Sequence, residues 1–296
     1  MTNSHEPISL HTLLGTYPNT SSLKNGKVQS PIVTFDFADV KVANTGFKPL
    51  VRELKFDVAE LAIVTYLQAK AYGKPYVLIP AVVVGRGQHH TIVYNPQRGR
   101  IAPSDLKGLR VGLRAYTQTT GAWIRGILEE DYGVDFTGVE WITFEEPHVA
   151  EYRDPHWVER APADKELLQM LLEGELDAGI FANGVPDSRL TTLIPDAEVA
   201  SHKWAECHGG APINHMVVIR ESIARTRPDV VKEVYRLLLE SKEQAGRTDT
   251  TALRFGVEPN RRSLEIIIGY AVQQKLIPRR IEVDELFDDT TRLLGY

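Results

Sequence analysis

Short apolar runs of strand length alternate with stretches of helical periodicity over most of the first 220 residues. This alternation restricts the chain to α/β architectures with mainly parallel sheets. Residues 8–14, 32–37, 76–84, 109–113, 139–144, 176–182 and 213–220 read as strands, and 47–54, 57–72, 121–132 and 164–173 as helices. The 57–72 assignment rests on apolar residues at Val58, Leu61, Ala62, Tyr66, Leu67, Ala69 and Ala71, with a stop at Gly73-Lys74-Pro75. Residues 145–163 read as a long loop and 186–211 as a strand-and-loop passage. Beyond Glu221 helices dominate, at 228–244, 263–274 and 283–294. The punctuation implies a first lobe of residues 1–103 that resumes at 212–296, and a second lobe of 104–211. Two crossings would then create a hinged interlobe cleft.

The most chemically loaded stretch is 79–95. Its apolar run ends in Gly85-Arg86-Gly87-Gln88-His89-His90, and apolar character resumes at 92–94. A buried strand thus runs into a glycine-permissive turn, and in open α/β sheets ligands bind at strand carboxyl ends. Arg86 offers the bidentate fork that a carboxylate needs; a structural salt bridge is the plainer alternative. His90 is a candidate for proton transfer, since histidine titrates near neutral pH, against the alternative of a hydrogen-bonded structural residue. His89 points away from His90 if the turn is extended, which makes it the weaker candidate, as a substrate contact.

Thr117-Gln118-Thr119-Thr120 stands at a helix start, where backbone N–H groups, the dipole and the hydroxyls of Thr117, Thr119 and Thr120 form an anion site; plain N-capping can coexist with that role. Trp123 is expected in the core, while Arg125 could reach a carboxylate. Glu60 is expected either to complement a helix dipole or to orient a histidine or a substrate hydroxyl. Asn183, just past a strand, and Tyr17, in the first loop, are candidate polar contacts.

Composition narrows the partners. The 296 residues are 43% hydrophobic and 25% charged, enough for a sizeable core, and the net charge of −5 gives no basic field for nucleic acid. A single cysteine, Cys207, excludes a disulfide framework and a cysteine-rich zinc site. No GxGxxG or GxxxxGK[ST] motif is present, so no nucleotide cofactor is expected. His89, His90, His215 and Glu60 are usable metal ligands, but HxH and HExxH spacings are missing, so no metal is expected and a divalent ion is the lesser reading. The first residues lack a basic n-region and an apolar h-region, and no apolar run is long enough to span a bilayer. The expectation is a cytoplasmic protein without a membrane partner.

Several stretches together resemble the 4,5-dihydroxyphthalate decarboxylase family, which is similar to type 2 periplasmic binding proteins turned into enzymes. They are Phe56-Asp57-Val58-Ala59-Glu60-Leu61 with Tyr66; Ile79-Pro80 with Arg86 and His90; Asp105-Leu106-Lys107-Gly108 into Val111-Gly112; Thr117-Gln118-Thr119-Thr120 with Trp123-Ile124-Arg125-Gly126; Leu172-Glu173-Gly174-Glu175 before Asp177-Ala178; Ile213-Asn214-His215; and Asn260-Arg261-Arg262-Ser263-Leu264. The resemblance implies a two-lobe, type 2 periplasmic-binding-protein-like fold with a helical C-terminal tail. It also supplies His215 as a second proton-transfer candidate. The chain departs from the family where members read arginine-x-phenylalanine-arginine-histidine and this sequence has Arg86-Gly87-Gln88-His89-His90. It departs again where a methionine usually stands and this sequence has Asn214, a further candidate substrate contact.

The function implied is a carboxy-lyase: a non-oxidative decarboxylase of a hydroxylated aromatic or ring-derived dicarboxylic acid, used in aromatic compound degradation. Catalysis is expected from His90, His215, Arg86 and Glu60. The alternative is a non-catalytic solute-binding protein for a small carboxylate, and a remoter reading is a pyrimidine-synthase relative. The expected partner is a small aromatic carboxylate, and residues 263–294 could supply a homodimer face.

Overall fold

The structure, a computed structural model, describes residues 7–246 and 252–295. In chain order the strands are β1 (Ile8–Leu13), β2 (Val33–Phe37), β3 (Val58–Ala62), β4 (Tyr76–Gly85), β5 (Ile92–Tyr94), β6 (Arg110–Leu113), β7 (Glu140–Thr143), β8 (Val158–Arg160), β9 (Ala178–Ile180), β10 (Thr191–Thr192) and β11 (Ile213–Arg220). The α-helices are α1 (Pro18–Lys24), α2 (Phe47–Glu53), α3 (Ile63–Ala71), α4 (Thr119–Tyr132), α5 (Leu167–Glu173), α6 (Ala197–His208), α7 (Glu221–Thr226), α8 (Pro228–Gln244) and α9 (Val257–Gln273). They form two compact units. The first comprises Met1–Gly85, Ile213–Glu265 and Arg279–Tyr296, and the second Arg86–Pro212 and Ile266–Pro278.

The first unit is built on a five-stranded sheet of order β2-β1-β3-β11-β4. β1 runs parallel to β2 and β3, whereas β11 runs antiparallel to both β3 and β4. Central strands buried on both faces read as continuous apolar runs, and most of β4 and, apart from Glu60, β3 are of this kind. Pro80 lies within β4 and cannot donate to the ladder, and the β11–β4 pairing shifts register around it. The backbone there turns to residues 254–256: Val82 N donates to Arg254 O and Gly256 N to Pro80 O. α8 buries Val230, Val231, Val234, Leu237 and Leu238, a helical stripe that packs with Leu10, Val33, Val58 and Val217 in one core.

The second unit has a six-stranded sheet of order β10-β5-β9-β6-β7-β8. β6, β7, β8 and β9 are mutually parallel, and β5 runs antiparallel to β9 and β10. Because β5 pairs in this sheet, residues 86–103 belong with the second unit, not with the first lobe as the loop-like composition around Pro103 suggests. Residues 266–278, the end of the α9 passage, belong there too.

Four further local expectations change. Residues 57–72 are not one helix: 58–62 form β3 and only 63–71 are helical. β3 is buried throughout and α3 over its first seven residues, and periodicity cannot separate a buried strand from a buried helix. The helix expected at 283–294 is two 3₁₀ turns, Val283–Leu286 and Thr291–Leu293. Asp288 Oδ1 accepts from the N–H of both Thr290 and Thr291, an Asx-type arrangement that competes with helix. Residues 186–211 contain α6, whose sequence hides it because Trp204 is its one fully buried side chain. The 145–163 loop contains the short strand β8.

Candidate functional site

In the first unit the register of β11 against β3 builds the main cluster. Val217 stands opposite Glu60 and His215 opposite Ala62, so Glu60 and His215 are diagonal neighbours on one face of the sheet. His215 Nδ1 lies 2.9 Å from Glu60 Oε1, although the two residues are 155 positions apart. The Glu60 side chain is 0% exposed and that of His215 is 22% exposed. A buried carboxylate needs donors, and Glu60 has two more: Tyr17 Oη donates to Oε1 at 2.7 Å and Gly15 N to Oε2 at 2.6 Å.

The loop 14–17 is shaped to deliver them. A Cβ on Gly15 would stand 2.4 Å from Tyr17 Cζ and Oη, so only glycine lets the phenol lie across this backbone. Phe47, from α2, packs its ring edge-on to the His215 imidazole at 5.2 Å. Lys24 donates to Leu14 O; burial lowers its pKa and the nearby Glu60 charge raises it in part. With Glu60 accepting the Nδ1 proton, the tautomer is fixed and Nε2 is the position at which His215 can take up or release a proton. Glu60 is therefore on a central strand, not at a helix start, and what it orients is a histidine. Asn214, next along β11, is buried.

The second unit gathers a different set. The β5–β9 pairing of Ile92 with Ile180 sets the 3₁₀ turn His89–Thr91 beside the end of β9, where Phe181 N donates to Thr91 O. Arg86 Nη2 donates to Ala182 O, one residue before Asn183, which is exposed. Gly184, at φ +85°, passes His90 so closely that a Cβ would meet Cδ2 at 2.9 Å. Arg86, His90 and residues 182–184 are thus brought together. Burial, and then the Arg86 charge, hold the His90 pKa below the usual histidine value. His90 belongs to this unit and not to the lobe that carries His215, where the chain order had placed both.

His89 is 0% exposed, and neither ring nitrogen has a hydrogen-bond partner among the described residues. Burial pushes its pKa down to about 4. It is a neutral interior side chain, out of reach of a ligand at the surface of the turn.

Thr117, Thr119 and Thr120 are all buried at the start of α4, and the N-cap side chain, Gln118, makes no capping bond. Arg125 does not reach outward. It is fully buried, with Nε donating to Gln274 Oε1 at 2.8 Å and Nη2 to Tyr116 O at 2.7 Å. The sequence reading missed Gly15, Phe47, Ala182 and Gln274. Two of these act through backbone atoms, which no side-chain pattern reports. Among the described residues, no group of three or more His, Cys, Asp or Glu side chains is placed to hold a metal ion. No helix among them is long and apolar enough to cross a membrane.

Comparison with known proteins fits this architecture. No family model matches the chain. The 4,5-dihydroxyphthalate decarboxylase of Pseudomonas putida is 32% identical over 222 residues, 68% of this chain and 84% of that protein. The 4,5-dihydroxyphthalate decarboxylase of Comamonas testosteroni is 27% identical over 242 residues, 75% of this chain and 71% of that protein. Among solved structures, the alkanesulfonate-binding protein SsuA from Xanthomonas axonopodis pv. citri, bound to MOPS, aligns with a TM-score of 0.58 at 14% identity, covering 96% of this chain and 99% of that one. The desulfurization enzyme DSZB aligns with a TM-score of 0.53 at 11% identity, covering 96% and 97%. These structures establish a type 2 periplasmic-binding-protein-like fold. The sequence relatives go further, and with one of them 32% identical over 84% of its length the chain belongs to the 4,5-dihydroxyphthalate decarboxylase family.

Proposed function

We propose that this protein is a non-oxidative decarboxylase of a hydroxylated aromatic dicarboxylic acid of the 4,5-dihydroxyphthalate type. The observation that carries the reading is the Glu60–His215 pair: a fully buried, triply hydrogen-bonded carboxylate aligned on a histidine whose other nitrogen is left for chemistry. Binding alone does not require a histidine tautomer to be fixed in this way, which favours catalysis over a solute-binding role.

The chemistry follows from the ring. Breaking the bond to CO2 leaves an aryl anion unless the ring carbon is protonated first. A hydroxyl para to that carbon can lose its proton to a base and push electron density to it. The carbon then takes a proton from His215 Nε2, the C–C bond to the carboxylate breaks, its electrons restore aromaticity, and CO2 leaves. The base returns its proton to the phenolic oxygen. Glu60 supplies a counter-charge whenever the His215 ring carries its proton. His90, held below the usual histidine pKa by burial and by Arg86, is a neutral acceptor suited to the phenolic proton. Arg86 and the α4 start with Thr117, Thr119 and Thr120 are the carboxylate anchors. Tyr17 keeps Glu60 in place, and Asn183 and Asn214 are secondary polar contacts.

In this scheme side chains move the protons without an added metal or cofactor, the setting is cytoplasmic, and a homodimer through residues 263–294 is part of the same proposal. The test is release of CO2 from 4,5-dihydroxyphthalate and related hydroxylated ring acids, followed with the ring product. Turnover that resists chelation, from a protein recovered in the soluble fraction, is expected. Tight binding of one ring acid with no CO2 from any would overturn the reading in favour of a solute-binding protein.

A further inference from the structure

Arg125 has no place as a ligand contact, and the geometry points to another role: the buried guanidinium charges the first turn of α4 from behind, so that this helix start selects a carboxylate. The inference rests on the proposed reading of that helix start as an anion site.

Helical side chains lean toward the N-terminus, and Arg125 lies one turn beyond Gly121 on the same face. Its Nη1 would stand 3.2 Å from a Cβ on Gly121, the third residue of α4. The fork is immobilised. Nε is bound to Gln274 Oε1, Nη2 to the carbonyl of Tyr116 just ahead of the helix, and the guanidinium stacks 3.9 Å over the Tyr116 ring. Gln274 is itself fixed by donating to Ala122 O at 2.8 Å. Nη1 is buried and has no hydrogen-bond partner among the described residues.

This placement is unfavourable by itself. A helix N-terminus carries positive partial charge, and a cation belongs at the other end. A buried cation also needs an anionic partner, yet none of the Arg125 nitrogens hydrogen-bonds to a carboxylate among the described residues. Asp154, whose charge reaches Arg125, is paired at 3.7 Å with Arg160. An anion seated on the first-turn N–H groups and threonine hydroxyls offsets both positive features at once. Arg125 then acts as a positioning residue, through the field and through the Tyr116–Thr120 backbone, without touching the ligand.

The probe is phthalate, which lacks the ring hydroxyls and so is not turned over by this route. Its binding to the full chain is measured by calorimetry at fixed ionic strength, beside thermal melting. Wild-type protein is expected to bind it. Arg125→Met is expected to weaken binding about tenfold or more. Its unliganded melting temperature should fall by a few degrees, because Gln274 Oε1 and the Tyr116 carbonyl lose the donors that Arg125 supplies. Arg125→Lys, whose buried ammonium gives up its proton far more readily than a guanidinium, should bind phthalate more tightly than Arg125→Met and increasingly so as pH is lowered. No phthalate binding by wild type, unchanged affinity in Arg125→Met, or an Arg125→Lys affinity that does not recover as pH is lowered would each overturn the proposal. Should Arg125→Met not fold, hydrogen exchange on wild type decides: phthalate must slow the amides of residues 119–123, and no slowing overturns it. CO2 release is assayed on the same preparations. Charge-dependent phthalate binding without any CO2 would overturn the decarboxylase reading while supporting this one.

Discussion

If Glu60 and His215 act as a unit, mutating both should cost no more than mutating the histidine alone. The relevant perturbations are Glu60→Gln, His215→Ala and the double variant. A positioned general acid or base contributes about 10²–10⁴ in rate, so His215→Ala should lower kcat by that range. In Glu60→Gln the amide oxygen at the Oε2 position can still accept from Gly15 N, 2.6 Å away, while the NH2 takes the Oε1 position, which Tyr17 Oη at 2.7 Å shares with His215, so the phenol must turn from donor to acceptor. The NH2 group also faces His215 Nδ1, where a 2.9 Å contact now receives the ring proton. The imidazole would then carry its proton on Nε2 when neutral, the reverse of the wild-type tautomer, and kcat should fall about 10²–10³-fold.

Stability changes less. Three charge-assisted bonds become neutral ones, a loss of roughly 1 kcal/mol each. The carboxylate desolvation that wild type bears is relieved in return, so the net change should stay within about 2 kcal/mol and the variant should fold. The assay is single-turnover CO2 release, with urea unfolding as the control for integrity. In the His215→Ala background, adding Glu60→Gln should change kcat less than about threefold, since the group it orients is gone. Two further results would refute the reasoning: multiplicative losses in the double variant, or a Glu60→Gln enzyme within about threefold of wild type.

Two other outcomes follow from the geometry. Gly15→Ala places a methyl 2.4 Å from the Tyr17 ring, so Tyr17 must leave Glu60; a loss of about 1–3 kcal/mol in urea unfolding and a lowered kcat are expected, and an unchanged midpoint would show that the loop adapts. His89 gives an acid-linked effect. Its pKa is about 4 in the fold against 6.5 for the free side chain, so between these values the unfolded chain binds the extra proton. Its share of stability is complete above about pH 6.5 and is lost as pH falls toward 4, on the order of 3 kcal/mol. Asp131, whose charge favours protonation, and His90, whose charge opposes it, are the groups it senses. His89→Leu should flatten the melting temperature between these pH values, and an unaltered slope would place the acid sensitivity elsewhere.

The sequence alone determined the α/β class, the strand that ends at the Arg86–His90 turn, a helix start at the Thr117–Thr120 run and the residue types able to move protons. These are properties of neighbouring residues: apolar period, glycine-bearing turns, and hydroxyls ahead of a helical stripe. Local pattern failed where burial was complete. β3 read as helix because all five of its residues are apolar or buried, and with that error Glu60 read as a residue near a helix start, where a dipole role stood beside that of orienting a histidine. The grouping of His90 with His215 failed for a related reason. Chain order does not say which sheet a short strand joins, and β5 pairs with β9 and β10.

Only the tertiary structure could decide that Glu60 serves His215. Their meeting depends on β11 returning antiparallel between β3 and β4 in one register, and a slip of one residue would turn His215 to the opposite face. It likewise decided that Arg125, equally cationic in sequence to Arg86, is turned inward from α4 and buried. Whether a long side chain points to solvent or inward is set by what packs around it, and here that is Tyr116, Trp141 and Gln274.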